Sequence, residues 1–167
     1  MATLYGVNYT KYRNATLGTA AGTLIDASYG WGNSAFRYDQ YTTDGTETTS
    51  SLIYLGVLRP RERFMGGVIA FPVIKTAGTI ILGDGGWTAA NALDETTAAL
   101  ADTDRYLVST SVASASTGTG VGLVAQAGLG FKNESKYDLP IYATTGGATY
   151  ASGKLIQVVM HIGTPTD

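Results

Sequence analysis

The chain has 167 residues, a length typical of one compact domain or of one domain with an arm. Its 11 Lys and Arg against 13 Asp and Glu give a formal net charge of -2, which argues against nucleic acid as a partner because phosphate binding needs a clustered basic face. Cysteine is absent, so disulfides, zinc–thiolate sites, iron–sulfur clusters and a cysteine nucleophile are excluded.

Glycine is abundant, with 22 residues, and it is accompanied by many Thr, Ala and Ser. Glycine and threonine penalise helices, whereas this composition suits short strands and tight turns, so an all-β fold is predicted. No apolar run approaches the roughly 18 residues of a membrane span, and the start MATLYGVNYTKYRN lacks the regions of a secretory signal. We therefore expect synthesis in the cytoplasm and no membrane partner.

Residues 1–33 show neither a strand period nor a helix period, and they predict an extended N-terminal arm before a β-domain at residues 34–167. Large aromatic side chains are nevertheless frequent in this arm: Tyr5, Tyr9, Tyr12, Tyr29 and Trp31. Tyrosine is favoured where an apolar surface meets water or a partner. Two alternatives are open, packing back on the parent domain or packing on neighbouring subunits.

The first strand is predicted from Ala35 to Tyr41, where residues of different character alternate. The two faces are Phe36, Tyr38 and Gln40 on one side, and Arg37, Asp39 and Tyr41 on the other. The next strand, Ser51 to Leu58, is apolar on both faces and is ended by Arg59-Pro60, which predicts a strand buried on both sides.

Phe64 to Val73 is a second apolar run, in which Gly66 and Gly67 indicate a bulge or a close backbone approach. Its alternation places the following residues on one face: Met65, Ile69, Phe71 and Val73. Thr79 to Leu82 continues the strand pattern and is followed by the glycine turn GDGGW. The spacing of about 8–12 residues between strands is that of sandwiches and barrels.

Ala89 to Asp104 interrupts the β pattern and predicts a short helix, because Ala and Leu are frequent and Asp94 and Glu95 come early. The remaining predicted strands are Tyr106–Val112, Leu123–Phe131, Ile141–Thr145 and Lys154–Ile162. In the last one Ile156, Val158, Met160 and Ile162 share a face. The fold class is all-β: an antiparallel β-sandwich, jelly-roll-like, with the N-terminal arm and at most one short helix.

No constellation of residues predicts catalysis, a cofactor or a metal. His161 is the single histidine, and no nucleophile elbow supplies a serine partner for it. Asp102 and Asp104 are interpreted as solubilising, and Asp84 lacks the ligand spacing of a calcium loop. The glycines of GTGVG do not open a helix after a parallel strand, so they predict a β-turn and not a dinucleotide site.

Four segments carry a resemblance: MATLYGVNYTKY, FRYDQYTT, SLIYLGVLRPRERFMGGVIAF and KTAGTIILGDGGW. Together they resemble the small capsid decoration, or cement, proteins of tailed bacteriophages. The residues that match the family's I-x-L-G-x-L-P segment and its TAGT turn are Ile53, Leu55, Gly56, Leu58, Thr76, Ala77, Gly78 and Thr79. The segment Arg59-Pro60-Arg61-Glu62 departs from the family's Pro-x-Gly turn because it is more charged.

The resemblance implies a virion protein on the capsid exterior that has no enzymatic activity. It implies a homotrimer that bridges major capsid subunits and so stabilises the shell. We expect the arm and the arginine cluster to face the shell or a neighbouring protomer. The candidate interface residues are Tyr5, Tyr9, Tyr12, Arg13, Tyr29, Trp31, Arg59, Arg61 and Arg63.

A carbohydrate-binding module of a virion or tail is the alternative. Trp31, Trp87 and tyrosines would stack on sugar rings, with Asp84 and Asn91 as hydrogen-bonding partners. A glycan hydrolase is disfavoured because no pair of carboxylates is recognisable as its acid and nucleophile.

Overall fold

The computed structural model describes residues 3–5, 34–113, 121–123, 125, 127–147 and 149–163. These residues form nine strands: β1 Thr3–Tyr5, β2 Ser34–Thr42, β3 Leu52–Leu58, β4 Arg63–Ala70, β5 Gly78–Asp84, β6 Asp102–Ser111, β7 Val121–Gly122, β8 Leu139–Gly147 and β9 Leu155–Gly163. The helical content of the described residues is a single 3-10 turn at Ala89–Asn91. Within these ranges no helix has the length and apolar character needed to cross a lipid bilayer.

The strands form two sheets that pack face to face. The five-stranded sheet has the order β1-β3-β8-β5-β6, and the four-stranded sheet has the order β2-β9-β4-β7. All pairs are antiparallel except β1 with β3, which is parallel. From β2 to β9 the chain changes sheet at every connection except β5 to β6. The predicted antiparallel β-sandwich is confirmed.

The core lies between the two sheets, and β9 supplies its most regular part. Ile156, Val158, Met160 and Ile162 are all fully buried, as the alternation of this strand predicts. Burial of each such side chain contributes about 1.5–3 kcal/mol. Ile53 and Leu55 of β3 are buried from the opposite sheet. Strand β3 of one sheet and strand β9 of the other therefore contribute side chains to the same core.

In β2 the two faces are the reverse of what hydrophobicity alone would favour. Arg37 and Asp39 are buried between the sheets, whereas Phe36 is 66% exposed and Tyr38 is 39% exposed. The strand itself and its unlike faces are as predicted. Arg37 is accommodated on the inner face because it bonds to neighbouring elements there, as described below.

The face that was predicted for Phe64 to Val73 is wrong, although the predicted bulge is confirmed. The register of β4 against β9 shifts between Phe64 and Gly66, and Gly66 has a φ of 128°, which favours glycine. An added Cβ at Gly67 would lie 2.3 Å from the carbonyl oxygen of Val159. The bulge turns Met65 outwards while Ile69 is buried, and Phe71 and Val73 lie beyond the end of the strand.

The helix predicted for Ala89 to Asp104 is also wrong. After the 3-10 turn the chain is held by isolated bridges between Trp87 and Ala99 and between Ala92 and Ser135. Asp94 accepts hydrogen bonds from the backbone of Thr96 and Thr97, both at 2.9 Å, which stabilises a turn in place of a helix. The residues interpreted as helix formers therefore build a loop.

The strand predicted for Leu123–Phe131 is wrong as well. The pairing with β4 is made by Val121 and Gly122, and residues 127–130 form a turn. Phe131 instead bonds to Phe64: its carbonyl oxygen accepts from the Phe64 amide at 2.9 Å. This segment covers one side of the core without extending the sheet.

Candidate interaction surface

Side chains on the outer side of the four-stranded sheet form one apolar surface. The register aligns Phe36 with His161 and aligns Tyr38, Val159 and Val68 in the next row. We call this set the outer apolar face, and its members are Phe36, Tyr38, Met65, Val68, Val159 and His161. Because outward residues of an antiparallel sheet are usually polar, a face of this composition marks a candidate contact surface.

Local contacts hold the side chains of this face in position. The rings of Phe36 and His161 stack with centroids 4.8 Å apart and an interplanar angle of 19°. The Tyr38 hydroxyl accepts from Gln157 Nε2 at 2.7 Å and donates to Gln40 Oε1 at 2.6 Å. The face is therefore ordered before any partner binds. His161, interpreted as structural or solvent-facing, is a half-exposed member of it.

The charge on this side of the sheet is confined to one end. Arg63, the first residue of β4, is exposed and lies in a row with Gly163 and Ser34. The residues of β2, β4 and β9 whose side chains lie on the outer side include no carboxylate. The surface is thus apolar in its centre and positive at the row where β2 begins.

The turn between β3 and β4, which we call the arginine turn, comprises Arg59 to Arg63. The Glu62 amide donates to the Arg59 carbonyl at 3.0 Å, Pro60 takes the second position, and Arg61 has a φ of 67°. This is the pattern of a type II β-turn, in which glycine is favoured at the third position. The departure from the Pro-x-Gly turn is accommodated because Arg61 adopts the left-handed conformation.

A buried ion pair explains why a glutamate interrupts the arginine cluster. Glu62 Oε1 accepts from Arg37 Nη2, and Glu62 Oε2 accepts from the Arg59 amide at 2.7 Å. Arg37 Nη1 donates to the carbonyl oxygen of Val57 in β3. Arg37 and Glu62 are 1% and 5% exposed, so this pair links β2, β3 and the turn inside the sandwich. Sequence reasoning missed it, because the partners are 25 residues apart.

Asn133 ties the arginine turn to the adjoining loops. Its side-chain amide donates to the carbonyls of Leu58 and Tyr137 at 2.7 and 2.9 Å. Its backbone carbonyl accepts from Arg61 at 2.6 Å and its backbone amide donates to Glu62 at 2.9 Å. The end of the sandwich that carries the arginine turn is therefore a bonded unit, which we call the turn end.

Two exposed apolar side chains project from the turn end. Leu100 is 86% exposed, and Tyr137 is exposed as well. The carbonyl of Leu100 accepts from Arg105 Nη2 at 2.8 Å, which fixes the backbone beneath this side chain. The turn end thus presents apolar side chains together with Arg61 and Arg63 on a fixed backbone.

Asp84 is bonded in the interior, which removes the role that the carbohydrate-binding alternative gave it toward a sugar. It is fully buried, and its Oδ2 accepts from Arg105 Nε at 2.7 Å and from the Tyr106 hydroxyl at 2.8 Å. Burial raises the pKa of Tyr106 well above its usual value, and the Asp84 charge adds to this effect. Trp87 packs on Phe131 and donates its indole N–H to the carbonyl of Thr97 at 2.9 Å.

The predicted interface residues fall into three groups. Arg59 is half-buried, whereas Arg61 and Arg63 are exposed at the turn end. Tyr5 lies in β1 in register with Tyr54 of β3. The remaining ones lie outside the described residues: Tyr9, Tyr12, Arg13, Tyr29 and Trp31. The structure therefore brings Arg63 to the row at which β2 begins and places Arg61 in the turn that precedes it.

The carboxylates Asp102 and Asp104 lie two residues apart at the start of β6. The pKa of Asp104 is raised, chiefly by a hydrogen bond with Asp102. Among the residues with described positions, no group of three His, Asp or Glu side chains is placed to hold a metal ion. Most of the charged side chains described above form internal ion pairs or lie exposed on the surface.

Comparison with known proteins identifies the fold. No protein-family model matches the chain, and no curated protein matches it. A chain in the capsid of Ralstonia phage GP4 is similar over 99% of this chain and 100% of its own length, with 16% identity and a TM-score of 0.65. A chain in the capsid asymmetric unit of cyanophage Pam1 is similar over 81% of this chain and 90% of its own length, with 19% identity and a TM-score of 0.57. The β-sandwich of this protein is thus a fold that is also found in the capsids of two bacteriophages.

Proposed function

We propose that this chain is a structural protein of a bacteriophage virion. In this proposal it binds the outer surface of the capsid as an oligomer and stabilises the shell by bridging major capsid subunits. The observation that carries the proposal is the match, over nearly the whole of both chains, with a chain of the Ralstonia phage GP4 capsid. The 167 residues of this chain are few for a shell-forming subunit, which supports an accessory position in the proposal.

The internal chemistry supports adhesion in place of catalysis. The buried carboxylates of Asp84 and Glu62 each bond an arginine and stabilise the fold. The outer apolar face and the turn end, in contrast, offer contact area and arginines. A protein that binds several subunits at once needs only modest individual contacts, because each attached copy raises the effective concentration of the others.

The arm is proposed to act at the turn end. Strand β1 runs parallel to β3, whose last residue, Leu58, precedes the arginine turn. Strand β2 begins at Ser34, in the row of Arg63. The last residue of β1 and the first residue of β2 therefore both lie on the side of the turn end. We propose that the aromatic residues of the arm, together with Arg61 and Arg63, contact the shell or a neighbouring protomer.

Cosedimentation with expanded capsids that lack their decoration protein tests the proposal. The wild-type chain is expected to cosediment and to saturate at a fixed number of copies per capsid. A variant that retains β1 but carries serine in place of four arm aromatics should bind at least about tenfold more weakly, because aromatic anchors dominate interfaces. The four replaced residues are Tyr9, Tyr12, Tyr29 and Trp31.

The matched control is Val108→Ser, which alters a 58% exposed side chain on β6 of the other sheet and should bind like wild type. Absence of cosedimentation of the wild-type chain would overturn the proposed function. Unchanged binding of the four-residue variant would overturn the role of the arm alone.

A further inference from the structure

We infer that the outer apolar face is the surface through which one copy of this chain packs on a second copy. This inference deepens the proposed function and rests on the oligomer proposed there, because it names the surface at which copies meet in the purified protein. It rests on the size, the charge and the internal order of the face.

The exposed area is large enough for such a contact. Phe36, Met65 and Val159 are 66%, 48% and 37% exposed, and Tyr38 and Val68 of the same face lie in the same range. With about 200 Å² for a whole aromatic side chain and less for an aliphatic one, these fractions amount to roughly 400 Å² of apolar area. With a polar border this approaches the ~800 Å² per partner of a standard protein interface.

The charge of the face fits a second copy better than it fits a charged partner. The outward residues of β2, β4 and β9 include no carboxylate, and their single arginine, Arg63, lies at the border. When two such faces meet, no charge is buried in the centre of the contact. Interfaces between identical subunits are more apolar than other interfaces and are poor in charged residues at their centre.

The turn end has the opposite character. Arg61 and Arg63 lie at the same end of the sandwich as the exposed Leu100 and Tyr137, which belong to connecting loops. Mixed charge and apolar contacts are typical of interfaces between different proteins that form and dissociate. The molecule thus separates a sheet face with an uncharged centre from a charged loop end, and we assign the sheet face to self-association.

The face is also ordered in a single chain. The Phe36–His161 stack and the hydrogen bonds of Tyr38 with Gln157 and Gln40 restrict three of its side chains. Ordering these side chains on association therefore costs little, which favours a stable contact for the area that is buried.

The test is the oligomeric state of the full chain without capsids, measured by light scattering during size-exclusion chromatography. Wild type is expected to be an oligomer at micromolar concentration. Val159→Arg, at the centre of the face, should dissociate it and raise the dissociation constant at least about 100-fold. Val108→Arg, at a valine on the other sheet that is 58% exposed against 37% for Val159, should leave it intact. A monomeric wild type, or an intact Val159→Arg oligomer, would overturn the inference.

Oxidation of Met65 by hydrogen peroxide gives a second measurement. Met65 is 48% exposed in the single chain, whereas Met160 is fully buried and serves as the internal reference. Met65 should be protected in the wild-type oligomer and become at least about tenfold more reactive in Val159→Arg. Equal reactivity in both proteins would overturn the inference. Neither measurement uses a capsid, so failure of capsid binding and failure of self-association are separate results.

Discussion

Removal of the charge on Glu62 is expected to destabilise the sandwich severely. Arg37 is 1% exposed, and in Glu62→Gln its guanidinium loses the carboxylate that it bonds. Removing one partner of a buried pair costs about 3–5 kcal/mol, because the remaining buried charge loses a compensating partner. At about 2–4 °C per kcal/mol for a domain of this size, the melting temperature should fall by roughly 6–20 °C.

Thermal and urea unfolding of Glu62→Gln beside wild type measure this effect. Arg63→Gln is the matched control, because Arg63 is exposed next to Glu62 and its replacement should change stability by less than about 0.5 kcal/mol. The double variant Arg37→Met with Glu62→Leu should recover part of the loss, since it removes both charges together. A loss below about 1 kcal/mol in Glu62→Gln would refute the reasoning, because it would mean that water or another group compensates Arg37.

Two further predictions concern the core. Because burial and Asp84 raise the pKa of Tyr106, its stabilising contribution is complete below about pH 10 and is lost at higher pH by up to about 1.4 kcal/mol per pH unit. The melting temperature of Tyr106→Phe should therefore fall less steeply than that of wild type above about pH 10, and parallel curves would contradict this. Gly67→Ala should cost at least about 1–3 kcal/mol in urea unfolding, because the new Cβ would lie 2.3 Å from the carbonyl oxygen of Val159. Gly85→Ala, with nothing within 4 Å, should be close to neutral, and equal losses in both would contradict the steric argument.

The strands could be predicted where a two-residue alternation coincides with burial. In β9 the predicted inward residues, from Ile156 to Ile162, are all buried. In β4 the same rule failed, because a bulge at Gly66 reverses the faces within one strand. Gly66 and Gly67 indicated the bulge in the sequence. Which side chains the bulge turns outwards depends on how β4 pairs with β9. Alternation is therefore a local signal that holds only as long as the ladder is regular.

The loop at residues 89–101 was beyond prediction from composition. Its Ala and Leu content favours a helix, but Asp94 bonds to the backbone of Thr96 and Thr97, and Glu95 has a φ of 59°. Bridges to segments distant in sequence, such as that between Ala92 and Ser135, then fix the loop. These contacts override the local preference and have no periodic signature.

The candidate surface was predictable only in part. The aromatic residues of the arm and the arginine cluster are evident in the sequence, and the cluster does lie at an exposed end of the sandwich. That Arg63 shares a row with Ser34 depends on the register of three strands, of which β9 lies far along the sequence from both β2 and β4. The outer apolar face was missed because Phe36 and Met65 were assigned to strand faces without knowledge of which face would be buried.

The bonding of Asn133 determines how the arginine turn behaves when a partner approaches. Four hydrogen bonds connect this one residue to both sides of the turn and to the neighbouring loop. Exposed loops usually sample many conformations, and a partner must select one of them at an entropic cost. In this protein the hydrogen bonds of Asn133 order the backbone of the turn when the chain folds. Binding of a partner to the arginines therefore costs little further backbone entropy.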